Sequence, residues 1–409
     1  MSIKAKIYLD ANAGLPLKPA ASQAILSLFA HGGAFSHLES DFLIPNPSSI
    51  HSHGRLAKRA VAEARESIAR SLGSQVDPEQ LVMTSSGTES NQLAIRSVLE
   101  ARLRAGQKPH WITTTVEHDS ARQLVDWLMQ RGGAVTELAV DAEGRLQAEG
   151  LSDLIRPETA LVSLVWVNNE TGVILDVEGV AQVVARFGVP LHLDAAQAWG
   201  KLPFDVDRLG ASYVSFSGHK VGGLAGTGVL WVARGKQMDA VILGKQEKGR
   251  RGGTENTLGL IALGAASGEL DPVGWAERVQ PLRDELERAI CARIPGAYVN
   301  GGHAPRVANT LNLNFEGIER DGLVMALDLA GFSVSAGSAC SSGVLEPSHV
   351  LRAMGRTDLQ AMAALRVSLV DSVQPSDLHG FVESLEAAVS RMRRAVGFNL
   401  IKGSTRDFN

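Results

Sequence analysis

Short apolar stretches alternate with helix-patterned stretches through the first two thirds of the 409-residue chain, and this alternation restricts the fold most. Helices are predicted at 55–72, with Gly73 as C-cap, and at 91–104, 120–131 and 180–187. Buried strands separated by helices favour a mostly parallel sheet covered on both faces, which is an α/β fold. The predicted strands are 81–84, 111–116, 134–140, 161–167, 190–193, 213–216 and 229–232.

The pattern changes near Gly268, where a second region begins. Strands are predicted there at 310–315 and 366–370. Helices are predicted at 279–294, 321–330 and 376–396, the last with Ser376 as N-cap. We therefore expect a large α/β domain over residues 16–267 and a small α+β domain formed by residues 1–15 and 268–409.

Composition excludes several classes of protein. The net charge of −4 excludes a globally basic nucleic-acid binder, and we expect no direct nucleic-acid partner. No apolar run reaches the roughly 18 residues that span a membrane, and residues 1–6 lack the apolar core of a signal peptide. Two cysteines are too few for a disulfide framework or a four-cysteine zinc site, so we expect a cytoplasmic protein and no such metal centre.

Polar residues follow several predicted strands directly. They are the segment 85–90, His118, Asn169 and Asp194. Ligands of such sheets bind outside the carboxyl ends of the strands. We therefore expect these residues to share one site.

Lys220 and Asp194 each allow two interpretations. Lys220 closes the stretch Ser217-Gly218-His219-Lys220 after an apolar strand. It is either a solvated loop lysine or a Schiff-base lysine whose neighbouring serine and histidine reach a phosphate. Asp194 either caps the next helix or pairs with a protonated pyridine nitrogen. Asp194 and Lys220 are 26 residues apart, which suits positions at the ends of neighbouring strands.

The turn at residues 86–89 and His118 also allow two interpretations each. Ser86-Gly87-Thr88-Glu89 either caps a helix or seats a phosphate at the helix N-terminus. Neither the dinucleotide-binding glycine pattern nor the P-loop pattern occurs at this turn. His118 is either a core or turn residue, or it stacks on a cofactor ring and moves protons.

The two cysteines lie in different contexts. Cys340 lies within a stretch of small residues, 335–343, and is either a nucleophile or a plain surface thiol. Cys291 falls in a predicted helix and is expected to be an inert core cysteine.

Several longer stretches resemble the pyridoxal-phosphate cysteine desulfurases of the nitrogen-fixation and iron–sulfur type, in the class V aminotransferase group. The resemblance runs from Tyr8-Leu9-Asp10 to about Val370. It implies fold type I, with a large mostly parallel α/β domain and a smaller α+β domain, and pyridoxal 5'-phosphate as cofactor. The stretches that carry it are 46–54, 167–172, 215–220, 250–256, 337–343 and 345–355.

The resemblance also implies roles for the cofactor site. Lys220 forms the Schiff base and moves the Cα proton. Asp194 pairs with the pyridinium nitrogen, Gln197 bonds the phenolic oxygen and His118 stacks on the ring. The phosphate is held by Gly87, Thr88, Ser217 and His219, and by Thr254 of a neighbouring subunit, so a homodimer is implied.

For the substrate, the resemblance implies that Asn169, which also touches the cofactor, and Arg366 bind the carboxylate of L-cysteine. Cys340 takes the sulfur as a persulfide, alanine leaves, and a protein acceptor such as an iron–sulfur scaffold or sulfur carrier receives the sulfur. Alternatives are a selenocysteine lyase, another class V lyase or aminotransferase, or a weakly active sulfur-relay protein.

Three stretches depart from the family pattern. Ala13-Gly14-Leu15-Pro16 replaces the usual Ala-Thr-Thr-Pro, and Gly222-Gly223-Leu224-Ala225-Gly226 replaces Tyr-Gly-Pro-Lys-Gly. Leu243-Gly244-Lys245 stands where relatives have three glycines. These changes flank the expected site, so a specialised member is predicted.

Overall fold

The computed structural model describes residues 6–30, 36–37, 41–336 and 346–398. The strands there are β1 (Ile7–Tyr8), β2 (Ser36–His37), β3 (Asp41–Phe42), β4 (Leu81–Thr84), β5 (His110–Thr114), β6 (Ala134–Leu138), β7 (Thr159–Val165), β8 (Leu191–Asp194), β9 (Tyr213–Ser217), β10 (Gly228–Val232), β11 (Ala297–Val299), β12 (Thr310–Phe315), β13 (Phe332–Ser333) and β14 (Leu365–Ser368). The α-helices are α1 (Pro19–Phe29), α2 (Ser52–Leu72), α3 (Gly87–Arg104), α4 (Asp119–Met129), α5 (Leu151–Leu154), α6 (Val177–Arg186), α7 (Thr257–Ser267), α8 (Pro272–Arg293), α9 (Arg320–Leu329), α10 (His349–Ala353), α11 (Asp358–Met362) and α12 (Pro375–Ala395).

The central sheet has the strand order β4-β10-β9-β8-β7-β5-β6. Strands β9, β8, β7, β5 and β6 are parallel, and β10 is antiparallel to both β4 and β9. Because β4 and β9 both oppose β10, β4 points the same way as the parallel strands. The carboxyl ends of β4, β5, β7, β8 and β9 therefore lie along one edge, and the predicted mostly parallel α/β sheet is confirmed.

Apolar periodicity explains how this sheet is covered. Every residue of β7 is buried, as expected for a strand with helices on both faces. In α6 the buried residues are Val177, Val180, Ala181 and Val184, which recur at helical spacing on one face. The Asp176 side chain accepts a hydrogen bond from the Gly179 N–H at 2.9 Å and fixes where this helix begins.

A second, antiparallel sheet has the order β11-β12-β14. Its core residues include Leu313, Phe315 and Val367, which pack with apolar residues of α8, α9 and α12. The N-terminal segment lies against this sheet, because the Ala11 N–H donates to the Ser368 carbonyl oxygen at 3.0 Å. The Leu15 N–H donates to the His219 carbonyl oxygen at 2.9 Å and so holds the segment beside the edge of the central sheet as well.

Several helices begin earlier than predicted. Helix α3 begins at Gly87 rather than at residue 91, because the Ser86 hydroxyl accepts a hydrogen bond from the Glu89 N–H at 3.1 Å. The prediction of Ser376 as an N-cap is wrong. Gln374 occupies that position, since Pro375 suits the first helical turn.

The prediction that Cys291 lies in the core is wrong, because the residue is exposed. The buried face of α8 contains Leu286 and Ile290, and the next residue is rotated by about 100° away from it. Partial desolvation and the nearby Glu287 carboxylate raise the pKa of the thiol, which disfavours the reactive thiolate.

None of the helices in the described ranges combines the length with the apolar character that a membrane span requires.

Candidate active site

A cavity of about 410 Å³ opens at the edge where the carboxyl ends of the strands meet. Its wall comes from the turns after the central strands, from the N-terminal segment and from β14. The structure therefore brings most of the predicted site residues together. Those on the wall are Gly87, Thr88, His118, Asn169, Asp194, Gln197, Ser217, His219, Lys220 and Arg366.

Lys220 ends the single-turn 3₁₀-helix Gly218–Lys220, directly after β9. Its Nζ donates to the carbonyl oxygen of Ala13 at 2.8 Å and to that of Asn12. Burial, assisted by the Arg366 charge, lowers the Lys220 pKa to about 8, although nearby carboxylates oppose this. An amine with this pKa is partly neutral near pH 7, and the neutral amine is the nucleophilic form.

Asp194 ends β8 and is 5 % exposed. Its Oδ1 accepts from the Ala196 N–H at 2.9 Å, and its Oδ2 accepts from Asn91 Nδ2 at 2.6 Å. The first contact matches the turn-capping interpretation, and the second comes from a helix 103 residues away in sequence. Together they fix a carboxyl group on the cavity wall, where it can face a cationic ring nitrogen.

His118 is the N-cap of α4 and is exposed at the cavity wall. Its Nδ1 accepts from the Ser120 N–H at 3.1 Å, so the neutral ring carries its proton on Nε2. Ser120 Oγ accepts from Asn91 Nδ2 at 2.8 Å. Asn91 therefore holds the Asp194 carboxyl and, through Ser120, the His118 ring in one hydrogen-bonded group.

The N-terminus of α3 forms the part of the cavity best suited to an anion. The N–H groups of Gly87 and Thr88 belong to the first helical turn, where backbone donors lack intrahelical acceptors. Ser217 Oγ lies 3.1 Å from His219 Nδ1 beside this turn. A Cβ at Gly87 would lie 3.0 Å from Ser217 Cβ, so glycine permits the close approach. Burial lowers the His219 pKa to about 4, which leaves a neutral ring near pH 7.

Arg366 of β14 lines another part of the wall. Its Nη2 forms an ion pair with Asp10 Oδ1 at 2.7 Å, and its Nη1 donates to the Asn169 carbonyl oxygen at 3.0 Å. The planar guanidinium is therefore oriented by two partners. Such a group is well suited to binding a carboxylate.

Thr254 and Cys340 differ from the other predicted residues. Thr254 is exposed and lines a separate, smaller cavity next to Glu247 and Arg251. Cys340 falls in residues 337–345, outside the described residues. The neighbouring described residues Ser335 and His349 both line the main cavity.

The sequence analysis missed several residues that line the cavity or bind its wall, among them Asp10, Asn12, Asn91 and Lys201. Asn91 lies within a predicted helix and has no local signal. Asp10 and Asn12 lie near the N-terminus, and their partners Arg366, Gln197 and Lys201 are far away in sequence. Lys201 had a usable signal, because it lies four residues after Gln197 in an apolar turn, where an unpaired lysine is unusual.

Comparisons with known proteins agree with this geometry. The sequence profile of the family described as aminotransferase class-V matches residues 7–381. A cysteine desulfurase of Cereibacter sphaeroides is 40 % identical over 390 residues, which cover 95 % of this chain and 97 % of that protein. The cysteine desulfurase NifS of Azotobacter vinelandii is 37 % identical over 392 residues, covering 95 % and 94 %.

A solved structure described as a NifS-like protein has a TM-score of 0.84 at 29 % identity, covering 94 % of this chain and 100 % of that one. The donor set also fits pyridoxal phosphate, since an amine, a buried carboxyl group and a helix N-terminus converge on one cavity. The chain therefore belongs to the class V aminotransferase family, in its group of pyridoxal-phosphate-dependent cysteine desulfurases.

Proposed function

We propose that the chain removes sulfur from L-cysteine, releases L-alanine and retains the sulfur as a persulfide on Cys340. One observation carries the proposal. The Lys220 amine, the Asp194 carboxyl group and the α3 N-terminus share a cavity wall with residues from both sides of the segment that contains Cys340. A lyase or aminotransferase that uses no thiol would not require residues from both sides of that segment on the cavity wall.

Bound pyridoxal phosphate supplies an electron sink for bond cleavage at the substrate carbons. Gly87, Thr88, Ser217 and His219 would hold its phosphate. Asp194 would hold the ring nitrogen, Gln197 the phenolic oxygen and His118 the ring face, and Asn169 would also contact the cofactor.

The remaining residues act on the substrate. Arg366 and Asn169 bind its carboxylate, which orients the α-carbon toward Lys220. Lys220 Nζ, with its lowered pKa, accepts and returns the Cα proton near neutral pH. His118, whose neutral form has its proton on Nε2, assists that transfer.

Cys340 acts on the sulfur. Its thiolate attacks the substrate sulfur, an S–S bond forms and the C–S bond breaks. The electron pair left on carbon takes a proton to give alanine, so the atoms and electrons of cysteine plus thiol balance those of alanine plus persulfide. The Arg366 cation of the cavity wall would favour the thiolate form of a thiol that reaches the substrate.

The same proposal includes the second subunit, the sulfur acceptor and the two domains. A second copy of the chain supplies Thr254 to the phosphate, which is supported by the exposure of Thr254 and of the apolar Ile50 and Leu243. A cytoplasmic protein acceptor receives the sulfur. Residues 16–267 form the large domain, and residues 1–15 and 268–409 form the small one.

The test uses the two cysteines of the chain as a matched pair. Purified protein is first examined for cofactor absorbance, and alanine and persulfide are then measured after addition of L-cysteine. Cys340→Ala should retain the cofactor absorbance and lose the persulfide, whereas Cys291→Ala should behave as wild type. Lys220→Ala should lose both the covalent cofactor absorbance and turnover.

Other results would contradict the assigned nucleophile, substrate or cofactor. Wild-type sulfide release by Cys340→Ala would refute the assignment of the nucleophile. Cofactor absorbance without alanine formation would favour selenocysteine or another amino acid as substrate, and then a relay role. A protein that cannot be loaded with pyridoxal phosphate would refute the cofactor assignment.

A further inference from the structure

We infer that Lys201 is a positioning residue. Its Nζ binds the side-chain oxygens of Asn12 and Gln197 and so turns the Gln197 amide N–H toward the point reached by the Lys220 amine. The inference rests on the proposed function, because it concerns how that cavity presents Gln197 to the cofactor.

The contacts of Lys201 carry the argument. Lys201 is 4 % exposed and lies in the turn that follows β8. Its Nζ donates to Asn12 Oδ1 at 2.8 Å and to Gln197 Oε1 at 2.5 Å. Among the described residues no carboxylate forms an ion pair with Lys201, and its acceptors are these two amide oxygens.

These contacts determine how the Gln197 amide is oriented. A lysine ammonium has donors only, so the amide atom that faces it must be oxygen. The other amide atom, Nε2, then donates to the Asn12 carbonyl oxygen at 2.9 Å. A flipped amide would place its oxygen against that carbonyl oxygen, and neither atom has a proton to share.

The same carbonyl oxygen joins Gln197 to the reactive lysine. Lys220 Nζ also donates to the Asn12 carbonyl oxygen, so the Gln197 N–H and the Lys220 amine meet at one acceptor. Lys201 further fixes Asn12, whose Nδ2 donates to Thr310 Oγ1 at 2.9 Å. One buried lysine side chain therefore orients two amides next to the Lys220 nitrogen.

The positioning does not depend on the charge of Lys201. Burial, with Lys220 and Arg366 nearby, lowers the Lys201 pKa well below its ordinary value. A neutral amine still has two N–H groups for the two amide oxygens. Both protonation states therefore give the same orientation of Gln197.

The titration of Lys220 reports on this arrangement. The charged or titratable groups that face it are Arg366 and Asp10 beside β14, Asp194 at the end of β8, His219 in its own turn, and Lys201. In the holoenzyme, cofactor absorbance follows proton loss at the Lys220 nitrogen. A Gln197 donor on the cofactor oxygen stabilises the deprotonated form and lowers this pKa.

The test substitutes Lys201→Met and titrates the holoenzyme with pH. We expect the pKa of the absorbance change to rise by about one unit, the size of one hydrogen bond. Arg283→Met is the matched control, because Arg283 is buried and donates to the Val307 carbonyl oxygen away from the cavity. It should lower stability and leave the titration unchanged.

A second variant distinguishes an orienting role of Lys201 from an effect of its charge. In Gln197→Leu protein, adding Lys201→Met should cause almost no further rise. A full additional rise would mean that Lys201 acts by charge alone and would overturn its positioning role, as would a wild-type titration in the single variant. If Lys201→Met does not fold, Lys201→Gln keeps a donor and should give a smaller rise.

Failure of the proposed function and failure of the Lys201 role give different results. A wild-type protein that binds no pyridoxal phosphate refutes the proposed function. A wild-type protein that binds and titrates, together with an unshifted Lys201→Met protein, refutes only the role of Lys201.

Discussion

Glu117→Gln should make the protein more stable than wild type, and increasingly so as the pH rises. Glu117 is 2 % exposed, and its Oε1 accepts from Thr114 Oγ1 at 2.6 Å and from the Val165 N–H at 2.9 Å. Burial raises its pKa from 4.5 to about 8, although these hydrogen bonds oppose the rise. Glutamine keeps the shape and the acceptor of the protonated acid but cannot ionise.

The magnitude follows from the two pKa values. Below pH 4.5 both states hold the proton, so Glu117 contributes no pH dependence. Between pH 4.5 and about 8 the unfolded chain has released the proton while the native protein keeps it, so wild-type stability falls as pH rises. Each unit corresponds to about 1.4 kcal/mol, and the interval from pH 5 to 7 to roughly 2–3 kcal/mol.

The assay is urea unfolding of wild-type and Glu117→Gln holoenzyme at several pH values, with Glu149→Gln as the exposed control. The difference in unfolding free energy between Glu117→Gln and wild type should grow across this range, whereas Glu149→Gln should follow wild type. A difference that stays constant with pH would refute the reasoning, because Glu117 would then be ionised in the native protein.

Three further predictions concern the cavity. Asn91→Leu removes the Asn91 donor to Asp194 Oδ2, so the dissociation constant of pyridoxal phosphate should rise about tenfold or more in an apoenzyme titration, while Ser97→Ala on the same helix should leave it unchanged. The rate of cofactor uptake by apoenzyme should rise with pH and level off above about 8, because the neutral Lys220 amine is the nucleophile; a flat profile would contradict its lowered pKa. Asp10→Asn removes a charge that raises the Lys220 pKa, so the midpoint of that profile should fall by roughly one unit, and an unchanged midpoint would count against the Asp10–Lys220 interaction.

Local sequence patterns predicted the central sheet and the site residues that follow its strands. The strands 81–84 and 310–315 were predicted with the bounds that the structure has, because the first is a short apolar run and the second alternates between apolar and polar residues. The rule for strand ends then placed His118, Asn169 and Asp194 at one cavity. Helix starts were less accurate, because capping residues such as Ser86 are polar and fall outside the apolar periodicity.

Long-range partners could not be predicted in this way. The Asp10–Arg366 ion pair joins residues 356 positions apart, and no spacing rule connects them. The orientation of the Gln197 amide depends on Lys201 and on the Asn12 carbonyl oxygen, which requires the packed structure. The departure at Leu15 has a packing role in the structure, since that residue lies against the core of the second sheet.

The pairing of the N-terminal segment with β14 also affects when the site can form during synthesis. The Asn12 N–H donates to Ser368 Oγ at 2.9 Å, and the Leu9 carbonyl oxygen accepts from the Ser368 N–H at 2.8 Å. The ribosome makes the first partner 356 residues before the second, which at usual elongation rates is a delay of roughly 20 to 70 s. During that delay the N-terminal segment lacks its contacts with β14, including the Asn12–Ser368 hydrogen bond, so the complete cavity wall forms only after residue 368 has left the ribosome.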